Sequence, residues 1–248
     1  MKVIELESSV TASNDRDAKR LRGRLRREGI LLVNVMSSPG AGKTTLLSRL
    51  VRDLSRRGLR LGVMEADIAS EVDAERMEAA GAKAIQAHTG GMCHMDAGMT
   101  ARALDALDAR GLDIIFLENV GNLICPAEYD TGATLDLMIL SVPEGDDKPL
   151  KYPLIFSRAG VLVISKTDAL PYFSFDTDLC TARARRLNPD LRVFPLSART
   201  GEGMDALEEY LLKALRRWRG EDSGSMAEGK EKKAAEESLR RGEVSPHA

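Results

Sequence analysis

The sequence predicts a three-layer α/β fold, with a mostly parallel sheet of about seven strands covered by helices on both faces. Three observations predict it. Short apolar runs alternate with helical patterns along most of the chain, the order that parallel strands joined by crossover helices produce. Several of these runs are apolar at nearly every position, as strands buried on both faces are. Residues 30–50, ILLVNVMSSPGAGKTTLLSRL, pass from an apolar run through a Gly-containing loop into a helical pattern. That is the context a phosphate-binding loop requires, so the fold class is that of the P-loop NTPases. With 248 residues, 43% of them hydrophobic, the chain can bury one sizeable α/β core.

Taken in order, residues 1–29 form a charged N-terminal extension in which 14–28 reads as an amphipathic helix. Its apolar side carries Ala18, Leu21 and Leu25, and it is expected to pack loosely on the core. Residues 30–219 form the main domain. Residues 30–35 are the first strand, and after Thr44 the positions Leu46, Leu47, Leu50 and Leu54 recur at helical spacing. Residues 59–64 are a second strand closing on Glu65-Ala66-Asp67, 71–80 a helix, and 82–87 a third strand. The stretch His88-Thr89-Gly90-Gly91-Met92-Cys93-His94 follows, and Asp96 caps a helix running to about 109. Gly111 ends that helix. Residues 112–117 are a near-continuous apolar strand closing on Glu118-Asn119-Val120-Gly121. Two further strands, 135–142 and 160–164, are separated by a polar loop around 143–149. Residues 176–187 form a helix, 192–196 a last strand and 204–218 a last helix. Residues 220–248 shift to Glu, Lys, Ala, Ser and Gly; such a tail buries too little to offset its ordering entropy, and a frayed helix or disorder is expected.

Bulk properties narrow the function. A formal net charge of −2 argues against a nucleic-acid-binding protein driven by charge. No apolar run approaches bilayer length, and MKVIELESSV has acidic residues where a signal peptide carries its apolar stretch. A cytoplasmic protein with no membrane partner is expected. Three cysteines fit reduced thiols better than a disulfide framework.

The glycines among Ser38, Pro39, Gly40, Ala41, Gly42, Lys43 and Thr44 let successive N–H groups turn inward toward a phosphate, with Thr45 in the first helical turn. Lys43 would reach the β- and γ-phosphates, and the Thr44 hydroxyl would ligate Mg2+. Position 37, a glycine in the general pattern, is Ser37 here. Magnesium needs further oxygen ligands; Asp67 and Glu118, at the ends of neighbouring strands, are the candidates. Ser165-Lys166-Thr167-Asp168 matches the Asn-Lys-x-Asp guanine-recognition motif of GTPases, with Ser165 for the usual asparagine. A carboxylate at Asp168 can accept two hydrogen bonds from guanine, a pair adenine does not offer. Ser197-Ala198-Arg199 resembles the Ser-Ala-Lys segment that backs the base, so GTP is expected over ATP. Glu118-Asn119-Val120-Gly121 stands where GTPases carry Asp-x-x-Gly, which makes Gly121 the γ-phosphate sensor. No glutamine or histidine is placed to orient the attacking water, so slow hydrolysis is expected, with Lys43 and Asp67 as the catalytic candidates and Asp73 as a substitute for Asp67.

Cys93-His94 and Cys125 form a set that a plain GTPase does not need. Thiolates with an imidazole suit Ni2+, Zn2+ or copper rather than magnesium. Gly90-Gly91 allows a turn in which the adjacent pair converges. One chain supplies three ligands, and the fourth is a water or a group from a second copy. A small buried thiol and a polar helix-start residue are the alternative roles for Cys125 and His94. Cys180, among Leu179 and Ala182, reads as core, and His88 and His247 have no partners in sequence. Because Cys125 follows Gly121 closely, metal affinity and nucleotide state would be linked.

Together these residues resemble the hydrogenase-maturation GTPases that assist nickel insertion, usually called HypB, of the SIMIBI class of P-loop GTPases. The resemblance covers nearly all of residues 30–215, through SSPGAGKTTLL, MEAD, TGGMCHMDA, FLENVGNLICPAEYD, SVPEGDDKPLKYPLIFSRA, SKTDALPY and FPLSARTGEG. It implies a GTP-hydrolysing metallochaperone that forms a homodimer with nucleotide and metal and delivers nickel to a hydrogenase precursor with other maturation factors. It further implies a shared metal site at Cys93, His94 and Cys125, and phosphate and magnesium contacts at Gly40, Gly42, Lys43, Thr44, Asp67 and Glu118. Residues 1–29 lack the Cys-rich or His-rich segment many members carry, so nickel storage is not implied. The related urease-maturation GTPases use a Cys-Pro-His arrangement absent here, and a metal-buffering or metal-sensing module on a nucleotide-binding scaffold is a further alternative.

Overall fold

The computed structural model describes residues 6–66 and 71–221. Seven strands form one sheet: β1 Leu31–Ser37, β2 Leu61–Glu65, β3 Ala82–Gln86, β4 Ile114–Glu118, β5 Leu135–Ser141, β6 Val161–Ser165 and β7 Arg192–Pro195. Their spatial order is β3-β2-β4-β1-β5-β6-β7, and every pairing is parallel. The strand order reverses beside β1, so the loop leaving its carboxyl end opens into a crevice, where ligands of open α/β sheets sit.

Period-two alternation along the strands divides the helices between two faces. Leu31, Val33 and Val35 of β1 point to one face, where α2 (Lys43–Arg56), α3 (Glu71–Ala80) and α9 (Met204–Arg219) cover the sheet. Leu32 of β1 points the other way, into a cluster with α1 (Leu6–Glu28) and α4 (Ala97–Ala106). Met36 joins a third cluster on that same side, with α5 (Cys125–Glu128), α7 (Pro153–Arg158) and α8 (Thr177–Leu187). Asn34 lies between Leu32 and Met36 and is also fully buried. The helix face behind β1 is therefore two apolar clusters with a polar residue at their boundary.

Three expectations change. The N-terminal helix is longer than 14–28 and is firmly docked: Ala18, Leu21 and Leu25 are at most 4% exposed. Its polar side is engaged too, since Arg22 makes a two-pronged ion pair with Asp130 at 2.7 Å on each arm. The polar loop after β5 is largely helical, with a 3-10 turn at Val142–Glu144, α6 (Lys148–Lys151) and α7. Each of these pieces has proline in its first turn, where a missing N–H costs nothing, and each is too short to show a helical period. The second strand begins two residues later than expected, after the turn at Arg57-Gly58. Cys180 is fully buried, as expected, and burial pushes its thiol up to about 12. The expected behaviour of the 222–248 tail lies outside the described residues. Among the described residues no helix is long and apolar enough to cross a membrane.

Truncating Leu25 leaves a cavity between α1 and the sheet. Leu25→Ala is expected to lower the unfolding free energy by about 2–4 kcal/mol, measured by urea denaturation. A loss below about 0.5 kcal/mol, the scale of a surface substitution, would show that the helix is loosely held.

Candidate functional site

At the end of β1 the chain turns through Gly40 (φ 74°) and Gly42 (φ 99°), both left-handed, and enters α2 at Lys43. A side chain at either position would be strained, so the loop geometry depends on these two glycines. Lys43 is buried and its ammonium donates to Ser37 Oγ at 3.2 Å. The serine at position 37 is thus fully buried and placed under the loop lysine. Thr44 Oγ1 donates to Glu118 Oε1 at 3.1 Å, because β1 and β4 pair in parallel with Val35 opposite Glu118. A hydroxyl and a buried carboxylate side by side are donors of the kind a hard octahedral cation takes. Asp67 lies outside the described residues, as does the side chain of Asp73. Gly121 lies in the loop after β4, partly exposed.

The loops after β6 and β7 close the other side. Lys166, itself at a left-handed φ of 60°, donates to the Gly40 carbonyl at 2.7 Å and so braces the phosphate loop. Ser165 Oγ donates to the Ala41 carbonyl at 2.8 Å. The serine that replaces asparagine therefore still ties the two loops together. Asp168 accepts from Ser197 Oγ at 2.7 Å and from Arg199 Nε at 2.8 Å, and those bonds, the serine's first, hold its carboxyl below the usual range. A cavity of about 310 Å³, with Ala41, Gly42, Thr45, Asp168 and Ala198 among its walls, adjoins this carboxylate. Ser38, Pro39 and Gly40 line up along the outer rim of the loop, half-buried to exposed.

The second cluster lies beyond β3 and β4. Gly90 and Gly91 take left-handed φ values of 66° and 90°, which turns the chain so that Cys93 is exposed while His94 is buried. Cys93 Sγ and His94 Nδ1 are 3.8 Å apart. Cys125 opens α5 and its thiol is held up, first by a hydrogen bond with the Cys93 thiol and then by burial. Segments 32 residues apart in sequence thus bring their thiols together. His94 does not complete a cage with them: its ring is stacked on Tyr129 at 3.8 Å between centroids, and among the described residues no three or more His, Cys, Asp or Glu side chains form a ready metal site. Burial pushes the imidazole down, against Asp96 and Glu128, toward the neutral form that ligates metals. His88 is exposed.

Sequence reasoning missed the residues that join these parts. Glu144 accepts from Ser141 N–H at 2.8 Å and from Ser141 Oγ at 2.7 Å, and its other oxygen accepts from Ser38 of the phosphate loop. The Ser-x-x-Glu spacing of a capping box was the available signal. The buried Asn34 donates to Asp136 Oδ1 at 2.8 Å and accepts from Asn119 Nδ2 at 3.0 Å. Asn14 of α1 donates to the Asp130 carbonyl at 2.9 Å and accepts from Ala97 N–H at 3.0 Å. No local pattern marks these, because every bond spans more than 80 residues. Burial pushes the Asp136 carboxyl up to about 6, assisted by Asp130 and opposed by Asn34, Arg22 and Arg158.

Comparison with known proteins agrees with this fold. The CobW/HypB/UreG nucleotide-binding domain matches residues 31–195. The hydrogenase maturation factor HypB of Rhizobium leguminosarum bv. viciae is 44% identical over 210 residues, which is 85% of this chain and 70% of that protein. The structure of hydrogenase maturation factor HypB from Archaeoglobus fulgidus superposes with a TM-score of 0.77 at 35% identity, covering 82% of this chain and 99% of the other. HypB from Helicobacter pylori in complex with nickel does so at 0.77 and 36%, covering 83% and 96%.

The half-buried Asp136 gives a pH signature. Its folded-state value lies above the ordinary 3.8, so between these values the folded state holds a proton that the unfolded chain has released. Its contribution to stability therefore falls as pH rises through that window. The unfolding free energy of Asp136→Asn minus that of wild type is expected to shrink by about 2 kcal/mol from pH 8 to pH 4.5. A difference constant across that range would contradict the assignment.

Proposed function

The chain belongs to the CobW/HypB/UreG family of nucleotide-binding proteins, and from that premise we propose that it is a GTP-hydrolysing nickel metallochaperone of hydrogenase maturation. The observation that carries the reading is the continuity of one short segment. It runs from Glu118, bonded to the phosphate-loop Thr44, to Cys125, whose thiol meets that of Cys93.

In this reading the triphosphate lies over residues 38–45, with the Lys43 ammonium moving from Ser37 to the β- and γ-oxygens. Thr44 and Glu118 hold Mg2+, joined by Asp67; the paired hydroxyl and carboxylate fit its oxygen preference. The ion, when bound, neutralises charge developing on the phosphate oxygens. Asp67 also orients the attacking water, and the Gly121 N–H senses the terminal phosphate. Asp168 accepts from the guanine edge, while Ser197 and Ala198 back the base and Lys166 holds the loop against it. The Arg199 side chain, 79% exposed, is free to move aside when the base arrives.

Nickel is the cargo, with Zn2+ as the other ion the donors suit. Cys93, His94 and Cys125 supply three ligands once the His94 ring leaves Tyr129, and a second copy supplies the rest. Met92 at 46% and Ile124 at 54% exposure flank the two thiols, and such apolar side chains support a homodimer at this face. A hydrogenase precursor, with other maturation factors, receives the metal.

Asp168→Ala is expected to weaken GTP binding by about 1.5–3 kcal/mol, the worth of hydrogen bonds to a charged group, and to leave ATP binding unchanged in a competition assay. Equal wild-type affinity for the two nucleotides would remove the role of Asp168. Cys93→Ala with Cys125→Ala is expected to abolish tight nickel binding while nucleotide binding persists. Unchanged nickel titrations would make the thiols incidental, and intact nickel binding without GTP turnover would favour a metal buffer.

A further inference from the structure

We infer that Asn119 is the positioning residue that transmits nucleotide state to the Cys93-His94 segment, an assignment that rests on the function proposed above. Asn119 is fully buried. It sits between Glu118, bonded to Thr44 of the phosphate loop, and the Val120-Gly121 turn. Its own N–H donates to the Val35 carbonyl at 3.0 Å, which fixes its backbone to β1. Its side chain then reaches across to the other loop: Oδ1 accepts from Val120 N–H at 2.9 Å and from Met95 N–H at 3.2 Å. Met95 directly follows His94. One carboxamide oxygen therefore holds the phosphate-sensing turn and the metal-loop backbone at the same time.

The orientation of that carboxamide is not free. Asp136 accepts from Asn34 Nδ2, which leaves Asn34 Oδ1 as the group facing Asn119. Asn34 Oδ1 must receive an N–H, so Asn119 presents Nδ2 to it and Oδ1 to Met95. The relay has one polarity, set from the Asp136 end. A shift of the 118–121 backbone by a few tenths of an ångström lengthens the Met95 bond beyond useful range, since hydrogen bonds weaken steeply past normal distances.

The opposite side of the metal loop is held differently. Asn14 joins Ala97 N–H to the Asp130 carbonyl, and so bridges the segments carrying His94 and Tyr129. Asn14 belongs to α1, and among the described residues its side-chain hydrogen bonds go to Asp130 and Ala97 rather than to the phosphate loop. It anchors the loops whichever nucleotide is present, whereas Asn119 moves with β4 and its turn.

The two asparagines therefore make opposite predictions in one experiment. Nickel affinity of the full chain is measured by competition with a chromophoric chelator, once with GDP and once with a non-hydrolysable GTP analogue. In Asn119→Ala the ratio of the two affinities falls to about one, a loss of the coupling that typically spans about 5- to 150-fold. Asn14→Ala weakens nickel binding by the same factor in both states and leaves the ratio intact. A wild-type ratio preserved in Asn119→Ala overturns the assignment. A wild-type ratio of one overturns the linkage in the proposed function itself, and the role of Asn119 with it. Hydrogen exchange on the wild type gives a reading that does not depend on any variant folding: the Met95 amide is expected to be protected to different extents with GDP and with the analogue, and equal protection overturns the assignment.

Discussion

The parallel pairing of β1 with β4 is the constraint from which the rest of the site follows. It sets Val35 opposite Glu118, and so places the loop that follows β1 beside the segment that follows β4. Thr44 can then reach the Glu118 carboxylate, and the chain beyond Glu118 has only a short path to Cys125. Were β1 flanked by a different strand, the phosphate loop and the thiols would have no shared segment. The two sites are joined because the sheet order β2-β4-β1-β5 leaves β4 the inner neighbour of β1.

A second constraint is the polar seam behind β1. Burying Asn34 in a strand whose neighbours are Leu32 and Met36 costs stability unless its amide is satisfied at both ends. Asp136 and Asn119 satisfy it. That arrangement splits the apolar layer on this face into two clusters, one under α1 and α4 and one under α5, α7 and α8. Packed apolar cores deform little, and a boundary between two of them is where a loop can shift without opening a cavity in either. The segment carrying Cys125 leaves the sheet from β4, beside this boundary, and the segment carrying Cys93 leaves from the edge strand β3 and returns to the boundary at Met95, whose N–H donates to Asn119 Oδ1. The docked N-terminal helix closes it from outside through Asn14 and Arg22.

Much of this was legible in the sequence where the signal is local. The strand, the glycine loop and the helix of residues 30–56 declare themselves by composition and period, and so do the inner strands, since a buried parallel strand is a nearly continuous apolar run; the edge strands β3 and β7, AKAIQ and RVFP, are only partly buried and carry a weaker signal. The Cys-His pair stood out by residue type. What stayed hidden depended on partners distant in sequence. Asn34 reads as a blemish in an apolar run until Asp136 and Asn119 are seen beside it. Asn14 sits in a polar stretch that suggests only solvent. The pieces α5, α6 and α7 are four to six residues long, under two turns, and no periodicity can be read from them. The ring stack of His94 on Tyr129 was beyond reach for the same reason: it is set by how α5 packs, not by the spacing of the residues.

In the proposed function one segment answers both to the terminal phosphate and to the metal. Thermodynamic reciprocity gives the direct test, because nickel must then alter nucleotide preference by the same factor that nucleotide alters nickel affinity. The measurement is the GTP-analogue to GDP affinity ratio, by calorimetry, with and without one equivalent of Ni2+. A change of about fivefold or more in that ratio is expected from the proposed linkage. A ratio untouched by nickel, with both ligands bound, would contradict it.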